Sequence, residues 1–132
     1  MNYLLDTHTC IWAIGKQSKL SATVKEILQN AANNFWVSKI SLLEIAIKKK
    51  IGKLEEFEIS IPEFIGSIYS SGYYMLQLND EHFQSYDNID FHETHRDPFD
   101  RYLLAAAQFE KFAIISKDEK FKLYTDTFEI VW

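Results

Sequence analysis

His95-Arg96-Asp97-Pro98-Phe99-Asp100-Arg101-Tyr102-Leu103-Leu104-Ala105-Ala106-Ala107, followed closely by Phe112-Ala113-Ile114-Ile115, is the stretch whose reading decides the fold. Asp97 stands where a helix N-cap belongs, and Pro98 suits the first helical position because its φ is already fixed near the helical value. Asp100 follows one turn later, beside exposed N–H groups and the positive end of the helix dipole. The apolar body of the stretch predicts a buried helix, and Phe112–Ile115 carries the strongest strand signal in the chain. A helix that delivers the chain into a buried strand is the repeating unit of a parallel α/β sheet. One carboxylate is enough to cap a helix. Here there are two, with arginines on either side.

Upstream, the same alternation continues. Asn2-Tyr3-Leu4-Leu5 reads as a buried strand ending at Asp6, and Thr7-His8-Thr9 lead into Cys10–Ile14, stopped by Gly15. Ser21 caps a helix whose Val24, Ile27, Leu28 and Ala31 recur at helical spacing. Phe35-Trp36-Val37 is a second strand. A helix follows from Ser38–Ser41, with Leu43, Ala46, Ile47 and Ile51 expected on its core face and Gly52 at its end. Residues 53–61 are polar and irregular and predict a loop. Pro62 opens a helix through Phe64, Ile65, Ile68 and Tyr69, and Tyr73–Leu76 is a third strand. Asn79 caps a helix with Phe83 and Tyr86, and a polar loop from Asn88 to Arg96 leads back to the opening stretch. Asp118 begins a short turn or helix, and Phe128–Val131 predicts a last edge strand. The reading is an α/β domain with a mostly parallel central sheet flanked by helices, one domain over 1–132.

Composition narrows the function. An apolar fraction of 47% with 15% aromatics excludes general disorder. No apolar run reaches the length of a membrane span, and no signal-like segment opens the chain. The lone Cys10 offers no internal disulfide, which agrees with a reducing, cytoplasmic setting. A net charge of −5 argues against bulk binding of polyanions, although acids gathered around a cation would give the same total. Four glycines, none in a G-x-G-x-x-G pattern, argue against a dinucleotide fold.

The acids are the candidate chemistry. Asp6 and Asp118 each follow a strand, and Glu44 and Asp100 each sit near a helix start. In an open parallel sheet the carboxyl ends of all strands share one edge, where ligands bind. Four carboxylates meeting there would need a hard cation, Mg²⁺ or Mn²⁺, and that arrangement suits phosphodiester hydrolysis. Each acid also has a bland explanation as a cap: Ser41-x-x-Glu44 is a capping box, and Asp97-x-x-Asp100 nearly one. Chemistry alone leaves the two readings open.

Tyr3-Leu4-Leu5-Asp6-Thr7-His8, Ser38-x-x-Ser41-x-x-Glu44-Ile45, His95–Arg101 and Ile115-Ser116-Lys117-Asp118 together resemble, in order, the motifs of PIN-domain ribonucleases. Within that superfamily the chain is most similar to VapC-type toxins of type II toxin–antitoxin modules. The resemblance implies a PIN-like three-layer fold and a cytoplasmic, Mg²⁺- or Mn²⁺-dependent endoribonuclease that hydrolyses RNA phosphodiesters. It also implies a cognate antitoxin protein and a homodimer. Carried over by position, the acidic site falls on Asp6, Glu44, Asp100 and Asp118. Asp6, Asp100 and Asp118 would hold one ion or two, with Glu44 as ligand or as orienter of the attacking water. Asp97 becomes the cap and a group that could reach the metal through water. Thr7 and Ser116 would orient carboxylates or water, or cap the backbone locally.

Arg96 and Arg101 are candidate RNA contacts, since guanidinium forks bind phosphate well. Lys48-Lys49-Lys50 with Lys53 could steer RNA or form a solvated helix end. His92 and His95 hint at zinc, but no cysteine joins them. Ile11, Trp12 and the Phe64–Tyr69 helix are candidates for an apolar partner surface, or else core. Two rivals stand beside the nuclease reading. One is an inactive PIN-like binding module. The other is a phosphate-accepting receiver domain, whose paired early acids are missing here.

Overall fold

The central strand of the sheet is β1 (Asn2–Leu5), and the remaining architecture follows from what lies on its two faces and two edges. A computed structural model describes residues 1–55 and 57–132. Among the described residues β2 (Asn34–Ser38), β3 (Tyr74–Leu76), β4 (Ala113–Ile115) and β5 (Ile130–Val131) complete a sheet of order β3-β2-β1-β4-β5. All four pairings are parallel, with Leu5 beside Val37 on one side and Ile115 on the other. The expected edge strand is real: Ile130 pairs with Ile114.

Side chains alternate across the pleat, so β1 feeds two cores. Tyr3, Leu5, Phe35, Val37 and Ile115 face one layer, built from α1 (Thr7–Gly15), α2 (Ala22–Gln29), α3 (Lys39–Lys50) and α4 (Ile61–Ser70). Leu4, Leu76 and Ile114 face the other, where α5 (Asp80–Tyr86) and α6 (Pro98–Glu110) pack. Helices thus cover both faces of a parallel sheet, which is the three-layer α/β arrangement. Leu103 and Leu104 of α6 are fully buried, each contributing about 1.5–3 kcal/mol relative to exposure.

The opening stretch folds as its sequence dictates. Asp97 caps α6, its Oδ1 accepting from the N–H groups of Phe99 at 2.8 Å and Asp100 at 3.2 Å. Pro98 takes the first turn, where its missing N–H costs nothing. Ser21, Asn79 and Ser60 cap α2, α5 and α4, the last in a full capping box with Glu63. Helix α2 stops at Gln29, so Ala31 lies outside it. The loop expected over residues 53–61 is present up to Ser60, pinned by Phe57 against Phe64 at 5.1 Å; Glu56 lies outside the described residues.

Helix α3 corrects the sequence reading. Leu43, Ile47 and Ile51, expected in the core, are 50%, 43% and 59% exposed. The buried face instead carries Ser41, Glu44 and Ile45. Apolar periodicity locates the core only when the opposite face meets water; here the polar face is the one turned inward, against other polar groups. A second correction concerns the apolar partner surface: Ile11, Phe64 and Ile68 are buried, leaving Tyr69 exposed and Trp12 half-buried.

Candidate active site

Because β2 and β3 lie to one side of β1 while β4 and β5 lie to the other, the sheet has a topological switch between β1 and β4. Parallel sheets bind ligands in the crevice at the carboxyl ends of such a pair. Asp6 is the first residue past β1, and Ser116 and Asp118 follow β4. Helix α3, leaving β2, brings Glu44, and the start of α6 brings Asp97 and Asp100.

Asp6 is buried and held through both oxygens. Its Oδ1 accepts from the Thr9 N–H at 2.7 Å, capping α1, and its Oδ2 accepts from the Ser116 hydroxyl. Burial raises its pKa against the opposing pull of the Ser116 and Thr9 hydrogen bonds. Ser116 also accepts from the Asp118 N–H at 3.1 Å, so a single hydroxyl ties the β1 acid to the β4 loop. Asp118 is exposed and caps the 3-10 turn Glu119–Tyr124 by accepting from the Lys120 N–H at 2.9 Å.

Glu44 is 3% exposed. The Thr7 hydroxyl lies 2.7 Å from its Oε1 and 3.0 Å from the Ser41 hydroxyl. A carboxylate only accepts, so Thr7 spends its one proton on Glu44, and Ser41 donates to Thr7. Lys48, one turn on, binds the other oxygen at 2.6 Å. Burial opposes the Lys48 charge, but the pull of Glu44, Asp97 and Asp100 raises its pKa overall.

Asp100 receives a hydrogen bond from His95, whose Nε2 lies 3.0 Å from Oδ2. His95 is fully buried, and burial lowers its pKa, so it is neutral at pH 7 and carries one N–H. When Nε2–H is given to Asp100, Nδ1 accepts from the Tyr124 hydroxyl at 2.9 Å. Burial keeps that phenol protonated by raising its pKa. Asp100 itself is pushed up to about 8, by burial first and then by Asp97, Glu44, Asp118 and Asp6. Five acids from four segments therefore share one field.

Among the described residues no three Asp, Glu, His or Cys side chains already form a closed metal cage. The donor chemistry nevertheless suits Mg²⁺ or Mn²⁺, which take oxygen ligands and are commonly held by one or two carboxylates with waters completing the shell. Asp100 is buried beside four other acids, and Lys48 is the lysine paired to one of them.

Thr7 and Ser116 touch Glu44 and Asp6, as second hydroxyls behind carboxylates should. Arg101 does not point to a substrate. It is 6% exposed and donates to the carbonyls of Asp90 at 2.8 Å and Ile89 at 3.0 Å, with Tyr86 and Phe91 against its guanidinium. It holds the 89–92 loop. Arg96 is exposed and paired with Glu93. In the lysine run, Lys48 is committed to Glu44, and Lys49 donates to the Ile59 carbonyl at 3.1 Å. Both ring nitrogens of His95 are engaged within the protein, which removes it from a zinc pair with His92.

Sequence reasoning missed three contributors: His95 as the partner of Asp100, Lys48 as the counter-ion of Glu44, and Ser41 behind Thr7. The i, i+4 spacing of Glu44 and Lys48 was a legible signal. His95 had no such signal, because it lies in an aperiodic loop.

Comparison with known proteins bears on the fold and the family. The solved structure of VapBC2 from Rickettsia felis, bound to a DNA fragment from its promoter, superposes with a TM-score of 0.63 at 17% identity over 98% of this chain and 97% of that one. DNA-bound VapBC from Salmonella typhimurium gives 0.65 at 16% identity, covering 98% and 96%. VapBC-5 from Mycobacterium tuberculosis, of the VapBC family of toxin–antitoxin systems, gives 0.61 at 13% identity, covering 98% and 97%. At such identities the likeness speaks for the fold. None of the curated proteins matches the sequence. The PIN domain family matches residues 3–126, from β1 to just past the Asp118 turn, and so takes in all five acids. With the switch point and its acids inside that match, the chain belongs to the PIN-domain family.

Proposed function

We propose that this PIN-domain protein is a Mg²⁺- or Mn²⁺-dependent endoribonuclease and the toxin of a type II toxin–antitoxin pair. One observation carries the reading: the fold gathers Asp6, Glu44, Asp97, Asp100 and Asp118 at the carboxyl edge of the sheet, where burial first and then the other four acids raise the pKa of Asp100 to about 8. Such a set is costly without a cation and apt for phosphodiester hydrolysis with one. The likeness of the whole chain to VapBC structures supports the toxin assignment.

In this reading Asp6, Asp100 and Asp118 are the metal-holding carboxylates. When bound, the metal supplies charge stabilisation at the phosphate and a water of lowered pKa. Asp6 is pre-aimed by Ser116 and Thr9, and Asp100 by His95. Glu44, braced by Thr7 and Lys48, serves as a further ligand or as orienter of the attacking water. Asp97 caps α6 and adds negative charge beside Asp100. Arg96, exposed above the 88–96 loop, is free to swing from Glu93 to an RNA phosphate. A cognate antitoxin, a homodimeric state and a cytoplasmic location complete the proposal. No helix among the described residues is long and apolar enough to cross a membrane.

The test is cleavage of single-stranded RNA by purified protein. Cutting should require Mg²⁺ or Mn²⁺ and stop with chelator, and Asp6→Asn or Asp100→Asn should abolish it. Cutting by both variants at the wild-type rate would show that the site is assigned wrongly. Metal binding without any cutting would mark a binding module instead.

A further inference from the structure

The carboxyl edge holds two adjoining clefts that share Asp118 with the acidic site and extend beyond it. The first, about 430 Å³, lies among Asp6, His8, Trp12, Lys117 and Asp118. The second, about 550 Å³, shares Lys117 and Asp118 with it and runs on to Lys122 and Trp132. Both volumes fall in the range of small-ligand clefts, about 300–1,000 Å³.

Their lining is specific. His8 and Trp12 are four residues apart on α1, so they share a face, with ring centroids 5.8 Å apart. Trp12 meets Trp132 edge-on at 5.8 Å, which joins the two clefts through one aromatic wall. The Nζ of Lys117 lies 5.8 Å from the Trp12 ring, and so does that of Lys19. Trp12 is only half-buried and His8, Lys117 and Lys122 are exposed. Indole faces with ammonium groups beside them are the two elements of sequence-tolerant single-strand binding: bases stack on the rings and phosphates meet the cations. The clefts mix charge: the first sets Lys117 beside Asp6 and Asp118, and the second sets Lys117 and Lys122 beside Asp118 and Glu119, with Lys122 2.7 Å from Glu119.

We propose that the Trp12–Lys117 cleft is a nucleotide subsite for single-stranded RNA, with a base stacked on Trp12 and its neighbouring phosphate on Lys117. The proposal rests on the nuclease reading, because the subsite would lead the strand towards the acids. An indole face with an ammonium beside it favours RNA over a polypeptide as occupant: a base lying on Trp12 displaces Lys117 from the ring and leaves it to meet the phosphate.

Binding measured apart from cleavage tests it. The probe is a fluorescein-labelled hexauridylate, followed by anisotropy in chelator so that no cutting occurs. Trp12→Ala should raise Kd about tenfold, Trp12→Phe should restore most of the affinity, and Lys117→Ala should weaken binding and flatten the salt dependence by about 0.7 in slope. Lys117→Ala guards against misfolding, since its side chain is exposed. Unchanged Kd in Trp12→Ala and Lys117→Ala overturns the subsite while leaving the nuclease reading intact. Failure of the wild-type protein to bind hexauridylate also overturns it, and would give the cleft to a polypeptide. In cleavage assays with metal, Trp12→Ala should raise KM and spare kcat; loss of cutting by the wild-type protein would instead sink the nuclease reading.

Discussion

The two ends of α6 carry the same trio of groups and use it differently. At the C-terminal end, His82 is fully buried with Nδ1 2.8 Å from the Tyr102 hydroxyl and Nε2 3.0 Å from Glu110. At the N-terminal end, His95 is fully buried with Nδ1 2.9 Å from the Tyr124 hydroxyl and Nε2 3.0 Å from Asp100. The first trio links α5 to the last turn of α6, a staple between two helices. The second ends on a carboxylate that four other acids crowd. A buried histidine between a phenol and an acid is therefore no signature of catalysis. The neighbourhood of the carboxylate decides.

The contrast can be broken most sharply at the two carboxylates. Asp100→Asn should lower the RNA cleavage rate by about 10³-fold or more, the several kcal/mol that a positioned cation supplies. Glu110→Gln should cut within about twofold of wild type and lose about 1 kcal/mol or less of stability in urea titration. The histidines come next. His95→Gln should cost about 10- to 100-fold in cleavage or metal affinity, the usual loss when a ligand's supporting hydrogen bond goes. His82→Gln should lower stability by about 1–3 kcal/mol and leave the rate per folded molecule unchanged. The smallest effect falls on the cap: Asp97→Ser keeps a side-chain acceptor for α6, so stability should stay within about 0.5 kcal/mol and cutting within a few-fold.

Much of this architecture is legible in the chain because local signals and tertiary demands agree. The runs at Tyr3–Leu5 and Ala113–Ile115 are buried on both faces and so read as apolar without alternation. Asp97-Pro98 announces a helix start whatever surrounds it. The failures share one cause, polar groups turned inward. Ser41 and Glu44 face Thr7 and Lys48, so α3 hides its polar side and shows Leu43 and Ile47 to solvent. Arg101 follows Asp100 in a motif rich in charge, yet its guanidinium is spent on two loop carbonyls eleven and twelve residues back. His82 and His95 sit at positions no periodicity marks. Both partners of His82, and Tyr124 behind His95, lie 20 to 29 residues away in sequence, a distance at which residue spacing carries no information.

The central claim is that Asp100 belongs to a cation site, and its raised pKa makes that testable without RNA. A carboxyl with a pKa of 3.8 unfolded and about 8 folded stabilises the fold fully below the lower value. That contribution drains away as pH rises through the upper one. Thermal unfolding in chelator should therefore show a loss of stability between about pH 4 and pH 8 that Asp100→Asn removes. Saturating Mn²⁺ should restore the wild-type protein above about pH 8 and help it little near pH 4, where protons compete for the same oxygens. The account predicts that Asp100→Asn gains almost nothing from Mn²⁺ at either pH. An equal rise in melting temperature for wild type and Asp100→Asn would contradict it.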